Sequence, residues 1–289
     1  MRTGSKAYGM EESRDKELTR LFSSYRVPRG KTKELAWEAI FDKIENEERK
    51  VKQVNFRIIL KVAATVAVLL VLATPIWLFV AGNVTVKVPR GQHAEVYLPD
   101  SSYVEINAES QLHYNKRTWL FARKVELSGE AKFKVTKGNR FDVKTSSAIT
   151  SVLGTVFNVY SRNGNTTVTC VEGKVSVKAI KTNNQVIITK GMQAQTKGFN
   201  MKKVEEVSVK DQSIPWTKGE FYFDKASLSK VFEEIERQFN VDIFFEGDST
   251  RKYTGYFNRT DLNAALSLVC IPMNLDWEKS NEVIIIYSK

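Results

Sequence analysis

The chain has 289 residues, with 44 Lys and Arg against 33 Asp and Glu, a formal net charge of +11, two cysteines and two histidines. The positive surplus is spread along the sequence instead of forming one tract, which argues against a nucleic-acid-binding protein. Glycine-rich phosphate loops, nucleophile elbows and Cys or His pairs at metal spacing are all missing, so no classical enzyme, cofactor site or metal site is expected.

Residues 1–57 form the first segment. Leu18, Leu21, Phe22 and Tyr25 recur at three- and four-residue spacing, and Trp37, Ile40, Phe41 and Ile44 follow at i, i+3, i+4 and i+7, the mark of two amphipathic helices. Pro28 and Gly30 separate them. A piece this small builds little core by itself. Its apolar stripes therefore either receive a partner protein or pack on each other or on a membrane surface.

Residues 58–82 contain the stretch Val62 to Ala81, VAATVAVLLVLATPIWLFVA, which carries no charged side chain. About 20 apolar residues in a helix span the ~30 Å hydrocarbon core of a bilayer. Arg49, Lys50, Lys52, Arg57 and Lys61 precede it, whereas the nearest bases after it are Lys87 and Arg90. The positive-inside rule then places the N-terminus in the cytoplasm.

From Val84 the period changes to two. Runs such as VTVKV, AEVYL, YVEIN, KVELSG, KFKVT, TVFNVYS and KVSVKA alternate between turn formers, Gly129 among them, and predict an all-β sandwich, barrel or solenoid-like stack over 83–197. Residues 198–215 read as a linker or a last edge strand. From Trp216, GEFYFD, a helix stripe of Leu228, Val231, Phe232 and Ile235, and VDIFF make a strand-helix-strand unit that then repeats, giving a small α+β domain over 216–289. Asp100, Glu105, Glu109, Glu126 and Glu130 are scattered as on a solvated face. Cys170 and Cys270 each lie in an apolar run; an exported compartment would permit a disulfide, and a buried free thiol fits as well.

The succession LPDSSYVEINAESQLHY (Leu98 to Tyr114), RKVELSGEAKFKV, RFDVKT, VLGTVFNV, VEGKVSV and KGMQA resembles the FecR-like anti-sigma factors in order and spacing. The stretch from Trp216 is similar to the small domain that accompanies Bacteroidetes-type members, with a secretin/TonB short N-terminal-like fold. Ser101 departs from the turn glycine usual after Pro-Asp, and Arg140 from a common proline. The resemblance implies a single-pass inner-membrane anti-sigma factor. Its helices, through Leu18, Leu21, Phe22, Trp37, Ile40, Phe41 and Ile44, would bind an extracytoplasmic-function sigma factor. Its periplasmic part would receive a signal from the signalling domain of a TonB-dependent outer-membrane transporter, and membrane proteases would release the sigma factor. The alternative is a membrane-tethered periplasmic binding or adaptor module without sigma-factor binding.

Some members of the family cleave themselves at a Gly-Thr bond, and Gly154-Thr155 matches it. A threonine hydroxyl against a strained preceding carbonyl can shift the acyl group from nitrogen to oxygen, and water then hydrolyses the ester. A strand glycine needed for packing, followed by a good strand former, would give the same dipeptide.

Overall fold

The computed structural model describes residues 19–20, 23, 32–48, 56–197, 200–206, 214–280 and 283–289. It divides into two units, 1–71 and 72–289, with the boundary inside one long helix. Short N-terminal helix, long apolar helix, large β region and small α+β region follow in the expected order.

Helix α1 spans Lys33–Glu48 and helix α2 spans Phe56–Ala81. α2 starts upstream of Val62 because Arg57 and Lys61 are good helix formers that continue the turn. Its first 19 residues, Phe56–Thr74, are long and apolar enough to cross a membrane. One residue, Gly82, separates α2 from the first strand, β1 (Asn83–Val88).

Among the described residues the β region has thirteen strands. One sheet has the order β1, β4 (Ser110–Asn115), β5 (Arg123–Lys134), β6 (Phe141–Lys144), β7 (Ala148–Val152), β10 (Lys174–Ala179), β11 (Gln185–Thr189). The other has β2 (Ala94–Tyr97), β3 (Tyr103–Ile106), β5 again, β8 (Val156–Arg162), β9 (Asn165–Glu172), β12 (Met192–Lys197), β13 (Asn200–Glu206). β5 belongs to both. Residues up to Ser128 pair with β4 and β6, and residues from Gly129 pair with β3 and β8.

Gly129 is therefore not a turn between two strands, as its flanking runs suggest. It sits inside one twelve-residue strand at φ +105°, a backbone setting open to glycine and strained for other residues. β4 and β7 are further elements that the alternation did not outline, and of the two readings of 198–215 the edge strand is the one seen over Asn200–Glu206, as β13. The sheet thus continues to Glu206, past Lys197.

Strand alternation builds the core between the sheets. Val104 and Ile106 on β3, Phe141 and Val143 on β6, and Phe157 and Val159 on β8 are all fully buried. Phe133 stacks on Phe157 at 5.1 Å, Phe141 meets Trp119 edge-on at 5.9 Å, and Trp119 meets Tyr114 at 5.8 Å. Cys170 lies in this core and Cys270 in the other; both are buried free thiols that burial pushes up, to about 11 and about 12.

The turn that carries Ser101 explains the family's glycine there. Ser101 has φ +64°, and its amide donates to the Leu98 carbonyl at 2.9 Å. Asp100 accepts from the Ser102 amide at 3.0 Å and from Arg123 Nε at 2.7 Å. Burial opposes ionisation of Asp100, but Ser102 and Arg123 outweigh it and hold its carboxyl below the ordinary range. A left-handed setting costs an L-residue roughly 1–2 kcal/mol, part of which glycine loses again in chain entropy. Ser101→Gly is expected to stabilise the β region by about 0.5–1 kcal/mol; a midpoint of urea unfolding that stays the same or drops would contradict this.

The C-terminal part holds α3 (Leu228–Phe239) and α4 (Leu262–Cys270) with two small sheets instead of one. β14 (Glu220–Ser227) pairs with β16 (Lys252–Asn258), while β15 (Asp242–Glu246), β18 (Val283–Ser288) and β17 (Leu275–Ser280) form the other. Asp261 caps α4 by accepting from the Asn263 and Ala264 amides, whereas Ser227 occupies the cap position of α3 without a side-chain bond. Leu228, Val231, Phe232 and Ile235 are buried in this core.

Candidate functional site

The predicted partner stripe divides into a described and an undescribed part. Leu18, Leu21 and Phe22 lie outside the described residues. Trp37, Ile40, Phe41 and Ile44 all fall on α1, each between 49% and 64% exposed, with Trp37 and Phe41 rings 6.0 Å apart. Helical spacing brings the four onto one face. Among the described residues nothing covers this stripe, which leaves an exposed apolar face on a sixteen-residue helix.

Gly154 and Thr155 join β7 to β8. Gly154 adopts φ +149°, and a Cβ there would stand 2.8 Å from Lys137 Cα, so only glycine fits. The Thr155 hydroxyl is buried and donates to the Lys174 carbonyl at 3.1 Å. Backbone bonds grip both flanks: Val135 N–H to the Thr155 carbonyl at 3.0 Å and Gly138 N–H to the Leu153 carbonyl at 2.9 Å. The dipeptide lines a groove of about 530 Å³ together with Arg140, Leu153, Lys174 and Ile187. The glycine is thus needed by close packing.

A third site was not legible. Where β1, the start of β4 and the middle of β5 meet α3, a polar cluster is buried between the β region and the C-terminal part. Glu130 accepts from Asn107 Nδ2 and from Asn158 Nδ2, each at 2.8 Å. Gln238 on α3 donates to Asn107 Oδ1 at 3.0 Å and to Glu234 Oε1 at 2.7 Å. Arg237 Nε reaches Glu109 at 3.1 Å, and Arg90 binds Glu109 at 3.0 Å and Asp242 at 2.8 Å. Trp216 donates to Asn158 Oδ1 at 3.1 Å, and its ring stacks on His93, which also meets Arg259.

Strand alternation does point Glu130 away from the core between the sheets. That face is covered by α3 instead of water, so Glu130 is not part of a solvated face. Glu234, Arg237 and Gln238, at i, i+3 and i+4, form a second, polar buried stripe on α3. A polar triplet at helical spacing beside an apolar one is the signal that could have revealed the contact.

Arg90, Arg162 and Arg237 face Glu109, Glu130 and Glu234, with Asp242 on the exposed side of the cluster and Arg259 beside His93. Burial first, and Glu234 second, push Glu130 up to about 7, with Asn158 and Asn107 pulling the other way. Burial also opposes ionisation of Glu109, yet Arg90 and Arg237 hold it below the ordinary range. Burial and then Arg259 lower His93 to about 4.

The stabilities linked to these two groups run in opposite directions. For Glu130 the contribution is complete below the ordinary carboxyl value of 4.5 and is lost as pH rises through 7. For His93 it is present above 6.5 and lost as pH falls toward 4. Between pH 6.5 and about 8 Glu130 gives up about 0.8 kcal/mol, while the unfolded-state histidine, half protonated at 6.5, finishes deprotonating and returns about 0.4 kcal/mol through His93. The unfolding free energy of residues 83–289 is therefore expected to fall by about 0.4 kcal/mol over that range, and Glu130→Gln is expected to turn the fall into a small rise. Urea titrations followed by tryptophan fluorescence check it; an unchanged slope in the variant would remove Glu130 as the cause.

Together these features define a class: a helix with an exposed apolar face, a long apolar helix, a two-sheet β region with a shared strand, and a docked α+β part. The sequence matches the FecR protein family over residues 84–176 and the FecR C-terminal family over 220–286. Two crystal structures of a candidate anti-sigma factor from Parabacteroides distasonis ATCC 8503 are similar to it, each at 25% identity and TM-score 0.65. They cover 72% and 71% of this chain and 99% of each solved chain. No curated protein sequence matches. The chain belongs to the FecR-like anti-sigma factor family.

Proposed function

We propose that this chain is a single-pass inner-membrane anti-sigma factor. α1, with the stretch around Leu18, Leu21 and Phe22, holds an extracytoplasmic-function sigma factor in the cytoplasm, and α2 crosses the membrane with its basic N-terminal flank inside. The observation that carries this reading is the uncovered Trp37–Ile40–Phe41–Ile44 face on a chain of this family. In the periplasm, the signalling domain of a TonB-dependent transporter addresses the β and α+β parts, and membrane proteases then free the sigma factor.

The buried polar cluster supports a relay. Polar interfaces separate at less cost than apolar ones, because water can replace each hydrogen bond that is lost. β1 ends beside Arg90 at that cluster and begins one residue after α2. Displacing the C-terminal part would thus act on the strand that leads to the membrane.

Co-purification of the full-length chain in detergent with the sigma factor encoded beside it tests the central claim. A stable complex that needs residues 1–57 is expected. Failure with every neighbouring sigma factor would favour the tethered adaptor.

Self-cleavage at Gly154-Thr155 belongs to the same reading, supported by the glycine's backbone setting and the buried hydroxyl beside it. Two fragments are expected on an immunoblot, and Thr155→Ala should leave one full-length band. A single full-length band in the parent chain would exclude the reaction.

A further inference from the structure

The loop between β4 and β5, Lys116–Ala122, presents two large apolar side chains to the outside: Leu120 is 90% exposed and Phe121 84%. It is nonetheless firmly built. Asn115 Oδ1 accepts from the Arg117 and Thr118 amides at 2.9 and 3.0 Å, and the Thr118 carbonyl accepts from Phe121 and Ala122 at 3.0 and 2.9 Å. Trp119 is driven into the core between Tyr114 and Phe141. Anchoring one aromatic inward fixes its two neighbours outward.

The position of this loop says what it meets. Lys116 N–H donates to the Gly82 carbonyl at 2.8 Å, Asn115 donates to Asn83 at 2.8 Å, and the Arg117 guanidinium lies 3.8 Å over the Trp77 ring at the end of α2. The loop is thus the immediate neighbour of the point where α2 ends. Register places Leu153, 65% exposed, on the same rim, because Arg123 pairs with Phe141 and Phe141 with Val152. The exposed bases Lys116, Arg117, Lys137 and Lys174 share that end, while the C-terminal part docks at the other end of β1.

We propose that Lys116–Ala122 is a membrane-docking wedge: Leu120 and Phe121 enter the outer leaflet of the bilayer that α2 crosses, and Lys116 and Arg117 meet lipid phosphates. Apolar side chains beneath a basic rim match the headgroup and acyl boundary. The wedge gives the β region a second attachment beside α2, so its tilt is fixed and the junction at Gly82 is covered. The inference rests on the reading of α2 as a membrane span.

The test uses the full-length chain in vesicles of phosphatidylethanolamine and phosphatidylglycerol. Single substitutions Phe121→Cys, Val66→Cys and Glu246→Cys are labelled with an environment-sensitive fluorophore, and spin-labelled lipids quench it near the headgroup or deep in the acyl chains. Cys170 and Cys270 are buried, and the unsubstituted chain controls for their labelling. Quenching at Phe121→Cys by the headgroup-proximal label at least twofold above Glu246→Cys, with Val66→Cys quenched by the deep label, is the expected result. Quenching at Val66→Cys with Phe121→Cys equal to Glu246→Cys would overturn the wedge and leave the span intact. No quenching at Val66→Cys would overturn both. A Phe121→Cys label shielded from aqueous iodide but beyond the reach of the lipid label would mean a protein covers the loop, and would overturn the wedge as well.

Discussion

Gly129→Ala is expected to cost the β region roughly 4 kcal/mol, a large share of the ~5–15 kcal/mol by which such a fold is stable. A Cβ on Gly129 would lie 2.5 Å from Ser110 Cβ and 2.7 Å from Ser110 Cα. The backbone at φ +105° is strained for any side chain, by about 1–3 kcal/mol. Relief of the overlap would push Ser110 away and add about 1–3 kcal/mol of overpacking. Ser110 also cannot move freely, since its hydroxyl accepts from the Glu130 amide at 3.0 Å and donates to the Ala108 carbonyl at 3.2 Å. Gly164→Ala is the control: it has φ +71° but nothing within 4 Å, so only the conformational cost of about 1 kcal/mol is expected. Urea unfolding of both variants decides the matter. Equal losses would show that the crossing point of β5 is no tighter than an open turn.

Replacing Ile40 and Phe41 by aspartate is expected to weaken sigma-factor binding by roughly a thousandfold, if each buried anchor contributes about 2 kcal/mol. Both side chains are exposed on α1, so their loss removes little from the chain itself. The variant should reach the membrane in normal amounts while the reporter of the sigma factor stays on without signal. Titration of the sigma factor against full-length parent and variant measures the loss directly. Unchanged affinity would show that the partner uses another face.

Much of this architecture could be read from periodicity. The alternation of YVEI and FDVK returns in the structure as strands that bury Val104, Ile106, Phe141 and Val143. Leu228, Val231, Phe232 and Ile235 form the buried stripe of α3 as spaced. What alternation lacks is a record of partners. KVELSG and KFKVT look like two strands because a glycine with positive φ inside a strand has the same sequence mark as a turn. SQLHYN carries few β-branched or aromatic residues, and AITSV, although three of its five residues are β-branched, is a short run set directly after Ser146 and Ser147; both are held as β4 and β7 by neighbours on both sides.

The buried cluster was illegible for a related reason. Glu130 stands on the face of β5 that sequence assigns to water, and only the docking of α3 removes the water. A strand pattern names the side a residue faces; it does not name what lies on that side. Ser101 is the opposite case. Its departure from the family's glycine is visible in sequence, and the φ of +64° gives that departure a physical meaning.

β1 has a mechanical consequence. It is hydrogen-bonded along one flank, to β4, over the six pairs from Asn83 with Asn115 to Val88 with Ser110. Its first residue follows the end of α2, and its last precedes the Arg90 ion pairs with Glu109 and Asp242. A pull between those two ends runs along the strand axis and across its hydrogen bonds. Such a ladder is loaded in shear, where all its bonds share the force, instead of being unzipped one after another. β1 is thus built as a tie rod between the end of α2 and the Arg90 contacts.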